Sequence, residues 1–300
     1  MAYRIDFDTS LEQEVRRIAA GQLTAAAGLL QTQPDGLHEA IHDARKHIKR
    51  TRALYRLIAS GAEEIATTEN ARLRAIASEL SHLRDAAALA ESAHYLEGKV
   101  EAEKTRAAIR KAGKVLEKRR DQIARDEAGM TETLMAAAEG LRQAEAALAD
   151  LNLAKGDKNT AGCLAAGWEK TGKKAVKALA NCASTDESVP FHDLRKCSQD
   201  RWMHATLLRA IWPAAMISIQ NQAKALIDLL GHEHDLAVLS AHIATSDDFG
   251  KAVQDRDLLL LAIFQQRQKL HKACRDAGKD MFDDRPSRDA AFVKRLIKNR

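Results

Sequence analysis

Residues 37–60 read LHEAIHDARKHIKRTRALYRLIAS. At 100° per residue, His42, Arg45, Lys46, Lys49, Arg52 and Arg56 fall on an arc of roughly 120°. Leu37, Ile41, Ala44, Ile48, Tyr55 and Ile58 fall on a separate arc. The stretch is therefore a helix with one face built to pack and another that is a ladder of cations, one turn apart. Like charges at that spacing repel by a few tenths of a kcal/mol per pair, about 0.2–0.5, and Glu39 and Asp43 do little to relieve them. A solvated face usually mixes signs; this one does not.

The same helical rhythm extends outward in both directions. Gln33-Pro34-Asp35-Gly36 breaks the chain before the basic helix. Upstream, Thr9 with Glu12 reads as a capping box before Leu11, Val15, Ile18 and Leu23. Downstream, the pattern predicts a helix from Thr67 or Thr68 to Gly98, a cation-rich one over Lys99–Asp126 and a shorter one to Asn152. A linker is expected over Ala154–Thr160. Four more helices are expected over Cys163–Ala180, Phe191–Ile211, Met216–Ile243 and Lys251–Ala277, then a final short segment. No stretch reads as a strand. Composition agrees: apolar residues are 45% and charged residues 30%, so a core can be buried, while 15 Gly, 4 Pro and twelve aromatics are too few for a sandwich or barrel.

The 300 residues exceed what one core usually takes, and an internal match accounts for the length. His42-Asp43-Ala44-Arg45-Lys46 pairs with His192-Asp193-Leu194-Arg195-Lys196, and Leu80-Ser81-His82-Leu83-Arg84-Asp85 pairs with Leu230-Gly231-His232-Glu233-His234-Asp235. Each second copy lies 150 residues after the first. This predicts an all-α chain made by tandem duplication of a helical bundle, with repeats over 1–152 and 153–300.

The pattern H-D-x-R-K-x-x-K-R-x-R, followed by L-x-x-x-R-D and repeated once, resembles the CHAD family, the conserved histidine α-helical domain. The resemblance spans nearly the whole chain. It implies two four-helix bundles related by a pseudo-two-fold axis, with basic helices lining a central groove or pore. It also implies binding of inorganic polyphosphate without catalysis and without a cofactor, and association of some members with polyphosphate granules. Carried over position by position, the anion contacts are His42, Arg45, Lys46, Lys49 and Arg52, with Arg56 extending the ladder. In the second copy they are His192, Arg195 and Lys196, with Arg201 one position off the face. Gln199 and Trp202 stand where Lys49 and Arg52 stand in the first copy, so that half should bind more weakly. Asp85 and Asp235 are expected to orient a basic side chain or to brace a turn, and His234 replaces Arg84. The chemistry suits the ligand: guanidinium groups fork onto phosphate oxygens, lysines add point charge, and a polyanion without bases needs no aromatic platform. Nucleic acid, the alternative polyanion, is disfavoured by that shortage of aromatics.

Three sharper-looking motifs are weaker in context. His38-Glu39-Ala40-Ile41-His42 is a literal H-E-x-x-H, which would place two imidazoles for zinc with Glu39 as general base. It has no third ligand at the expected spacing, is followed by cations, and aligns with Ser188-Val189-Pro190-Phe191-His192, so only His42 repeats. Gly167-Trp168-Glu169-Lys170-Thr171-Gly172-Lys173-Lys174 approaches a phosphate-binding loop, but Lys174 replaces the hydroxyl residue and no strand precedes it. His232-Glu233-His234-Asp235 aligns with a segment that is no metal site. The reading is thus a protein with no metal and no enzymatic centre. Cys163, Cys182, Cys197 and Cys274 are scattered and read as reduced thiols. The N-terminus lacks a signal pattern and no apolar run could span a bilayer, so a cytoplasmic protein without a membrane partner is expected. The net charge of +5 is too modest to name a partner; clustering must decide.

Overall fold

The computed structural model describes residues 2–82, 85–123, 127–153, 159–246, 249, 253–282 and 285–299. Among them the chain is helical throughout, with no strand. The helices are α1 (Leu11–Thr32), α2 (Leu37–Ile58), α3 (Glu63–His82), α4 (Asp85–Glu97), α5 (Glu103–Ile123) and α6 (Glu127–Ala146). They are followed by α7 (Thr160–Ser184), α8 (Ser188–Leu207), α9 (Pro213–Thr245), α10 (Val253–Met281) and α11 (Pro286–Lys298). Most of the expected linker, 154–158, lies outside the described residues.

Local chemistry accounts for the boundaries. Gln33 closes α1 in the left-handed conformation, with its N–H bonded to the Leu29 carbonyl, and Gly36 at φ 88° admits the turn into α2. The start of α1 differs from expectation by one residue. Ser10, not Thr9, is the cap, and its hydroxyl accepts the Gln13 amide at 3.2 Å. Glu12 does not close a capping box because its carboxylate accepts the Leu153 amide at 3.0 Å instead, tying α1 to the chain after α6. The helix expected from Thr67 or Thr68 to Gly98 begins earlier, at Glu63, and comprises two helices, α3 and α4. Helix α9, which carries the matching segment Leu230–Asp235, is one helix of 33 residues.

Apolar stripes place the helices. Val15, Leu23, Ile41, Ile48, Leu54 and Tyr55 pack in one buried cluster with Leu141, Leu164, Trp168 and Leu207. A second cluster joins Leu96, Ile109 and Leu116 to Leu236, Ile243 and Ile263. A third gathers Phe191, Leu194, Leu226, Leu230, Cys182 and Cys274. Each such large side chain contributes about 1.5–3 kcal/mol on burial. The first two clusters draw on both sides of residue 152, so apolar packing runs across the expected repeat boundary.

Two crossings fix α2 against α7 and α8. At Gly167 a Cβ would sit 2.0 Å from the Leu57 carbonyl oxygen, so α7 touches the backbone of α2 where only glycine fits. At the other crossing, buried His204 donates from Nε2 to the Ala53 carbonyl at 3.0 Å. Burial lowers the His204 pKa to about 4, which keeps the ring neutral for that bond. All four cysteines are free and buried, as the sequence suggests. Burial pushes the Cys197 thiol up to about 11. No helix among the described residues is long and apolar enough to cross a membrane.

Candidate functional site

The cationic face of α2 is braced rather than free. Arg45 donates from Nη1 to the Ala77 carbonyl and the Ser81 hydroxyl of α3. Arg52 Nε donates to Asn70 Oδ1 at 2.9 Å, and Arg56 Nη1 shares that oxygen at 3.3 Å. Arg56 also grips Asp200 of α8 as a fork, with Nε to Oδ2 at 2.7 Å and Nη2 to Oδ1. Lys46 bonds Asp43 at 2.7 Å on the outer side and holds that carboxyl below its usual range. Half-buried His42 lies in a group with exposed Glu39 and half-buried Asp43, whose candidate ligand atoms fall within 4.8 Å of one another. Exposed His38 is outside that group, so the two imidazoles of the H-E-x-x-H string do not converge with a third ligand among the described residues.

Four helices, α2, α3, α7 and α8, line a cleft of about 340 Å³ beside the second half of α2. Arg52 and Arg56 come from α2, Arg74 and Asn70 from α3, and Lys170 and Lys174 from α7. Asp200 is the one acidic residue in the lining. Arg74, Lys170 and Lys174 are exposed. Among the described residues, none of the three is within ion-pair distance of a carboxylate. The Arg52 pKa falls to about 10, first through burial and then through the neighbouring charges of Arg56 and Arg74, against the pull of Asp200. The cleft therefore carries positive potential that its own acid does not cancel.

A second group forms on α8 and α9. The His192 ring stacks on His234 with centroids 4.7 Å apart and planes inclined by 23°. Burial lowers the His192 pKa to about 4, with Lys196, His234 and Arg195 acting in the same direction. His234 is lowered by burial and by Arg195, Lys196 and Lys49, against Glu233. Arg195 lies half-buried against Gly231 of α9, and Lys196 bonds Asp193 at 3.1 Å.

Arg201 sits elsewhere. It is only 5% exposed, its guanidinium lies 3.9 Å above the Trp168 ring, and Nη2 donates to the Trp168 carbonyl at 3.4 Å. One position off the cationic face is enough to turn it into the interior between α7 and α11. Asp235 lies beside His232, whose ring stacks on Tyr95 at 3.9 Å. The Asp85 side chain, with Leu83 and Arg84, lies outside the described residues.

Sequence reading missed Asn70, Arg74, Lys170, Lys174 and Asp200. A signal existed: Asn70/Arg74 and Lys170/Lys174 are i,i+4 pairs, the spacing of the ladder itself. The lysines belong to the string that approaches a phosphate-binding loop and lies within the expected helix over Cys163–Ala180. In the structure that string is helix α7, and its glycines are contact points: Gly167 on Leu57, and Gly172 where a Cβ would come within 2.7 Å of Arg201 Nη2.

Fold and site define an all-helical protein with cations gathered in clefts between its helices. The CHAD domain family model matches residues 18–244, and the chain belongs to that family. Among solved structures, PptA from Streptomyces chartreusis is similar in fold, with a TM-score of 0.57 and 14% identity over 97% of this chain and 100% of that one. No curated protein matches the chain.

Proposed function

We propose that this protein binds inorganic polyphosphate without catalysing a reaction on it. The polyanion would lie along α2 between the His192–His234 group and the Arg52/Arg56 cleft. The observation that carries this reading is the cleft itself, in which five cations from three helices face one acid. CHAD membership supports the ligand class. The chain reads as a tandem duplication, since α2 and α8 begin at residues 37 and 188, and α5 and α10 at 103 and 253, close to the 150-residue offset. Binding within the cytoplasm and attachment to polyphosphate granules belong to the same proposal. Titration with long-chain polyphosphate at several salt concentrations tests it. Affinity should fall steeply with salt, because each neutralised phosphate releases a counterion. Equal competition by single-stranded DNA of matched charge would replace polyphosphate with a general polyanion reading.

A further inference from the structure

A groove for the interior of a polyphosphate chain needs cations spread along its length, because each internal phosphate carries one negative charge. The ladder of α2 is arranged in that way, one turn or about 5.4 Å apart. The cleft over its second half is arranged differently. Arg52, Arg56, Arg74, Lys170 and Lys174 converge from three helices on one volume of about 340 Å³. Asp200 is engaged on Arg56, and Arg74, Lys170 and Lys174 have no carboxylate partner among the described residues.

The inner wall includes buried Tyr55, Ala66, Thr171 and Cys197. The Tyr55 side chain is fully buried, and among the described residues its hydroxyl has no hydrogen-bond partner. That oxygen is closed off from solvent, so the charged donors the cleft offers a phosphate are its five cations. This concentration of charge suits a phosphate with three free oxygens and a second negative charge, which ionises with a pKa of about 6. In a linear polyphosphate only the terminal groups have that character.

We propose that the cleft between α2, α3, α7 and α8 is an end-group site that takes the terminal phosphate of a linear polyphosphate, with Lys170 and Lys174 as its determinants. This rests on the polyphosphate reading above.

The test titrates the full chain with linear tripolyphosphate and with cyclic trimetaphosphate, which has three phosphates and no end. The linear compound also carries more charge, so the comparison is repeated in two variants. Lys170→Gln with Lys174→Gln alters exposed residues inside the cleft; Lys49→Gln with Lys196→Gln alters cations outside it. The expected result is that the first variant loses about tenfold in affinity for the linear compound, equivalent to about 1.4 kcal/mol, and keeps its affinity for the ring. The second variant should weaken both compounds alike. Long-chain polyphosphate with both ends blocked should bind the wild-type protein more weakly than the unblocked chain. If the Lys170/Lys174 variant loses ring and linear compound equally, or blocking the ends changes nothing, the end-group assignment is wrong while polyphosphate binding stands. If no polyphosphate of any form binds, the functional reading itself falls.

Discussion

Helices α2 and α8 begin from the same five-residue pattern and use it differently. On α2, Arg45, Arg52 and Arg56 are half-buried, and each is held by an acceptor on α3 or α8. Side-chain freedom is restricted before any ligand arrives, so less entropy is lost when an anion binds. On α8, Gln199 and Trp202 replace two of the cations, Lys196 is exposed and tied to Asp193, and Arg201 is drawn beneath Trp168. Asp200 even lends its charge to Arg56 of the other helix. One copy concentrates positive charge, whereas the other supplies imidazoles and the packing that holds the first in place.

Charge reversal should expose this asymmetry most strongly. Lys49→Glu with Arg52→Glu is expected to lower affinity for long-chain polyphosphate by about a hundredfold, near 3 kcal/mol, and to flatten the salt dependence. Lys196→Glu alone should cost less than about tenfold. Isothermal titration at two salt concentrations measures both, and equal losses would remove the distinction between the helices.

The α7 crossing comes next. Gly167→Ala forces a Cβ against the Leu57 carbonyl and should destabilise the fold by about 1–3 kcal/mol or more, read from the denaturant midpoint. Asp200→Asn should separate stability from binding. Loss of the fork on Arg56 is expected to cost about 1–3 kcal/mol, while removal of the one acid among the described lining residues should raise polyphosphate affinity. A fall in affinity would mean that positioning of Arg56 outweighs its charge.

The imidazoles add a pH dependence. His192 and His204 have native pKa values near 4, below the ordinary value of about 6.5. The unfolded chain therefore takes up protons first, and stability of the free protein should decline as pH falls from about 6.5 toward 4. A bound polyanion raises the pKa values of His192 and His234, so affinity should rise over the same range. His192→Gln should reduce that rise. The smallest effect is expected from Arg201→Met, which replaces a buried cation with no ion pair among the described residues. Polyphosphate affinity should stay unchanged and stability should shift by about 1 kcal/mol or less in either direction.

Much of this architecture was legible in the residues. The 3.6-residue periodicity, the scarcity of turn formers and the 150-residue match identify a helical chain and its basic helix, because apolar spacing and charge clustering are local properties. The cap lies at Ser10 and not at the expected Thr9, because a long-range partner, the Leu153 amide, takes up the Glu12 carboxylate. Lys170 and Lys174 fall inside the expected helix over Cys163–Ala180, but a helix by itself does not tell which neighbour its face meets, and their role depends on what lies opposite them.

The amino-acid order therefore determines the helices, the cationic face of α2 and the family. Which cations share a volume is a tertiary result. It depends on α7 crossing α2 at Gly167 and on α8 crossing at Ala53, contacts between residues more than a hundred positions apart. Those crossings bring Lys170, Lys174 and Asp200 to Arg52 and Arg56, and they carry Arg201 away. Electrostatic energy depends on distance in space, and helical periodicity encodes distance only along one helix.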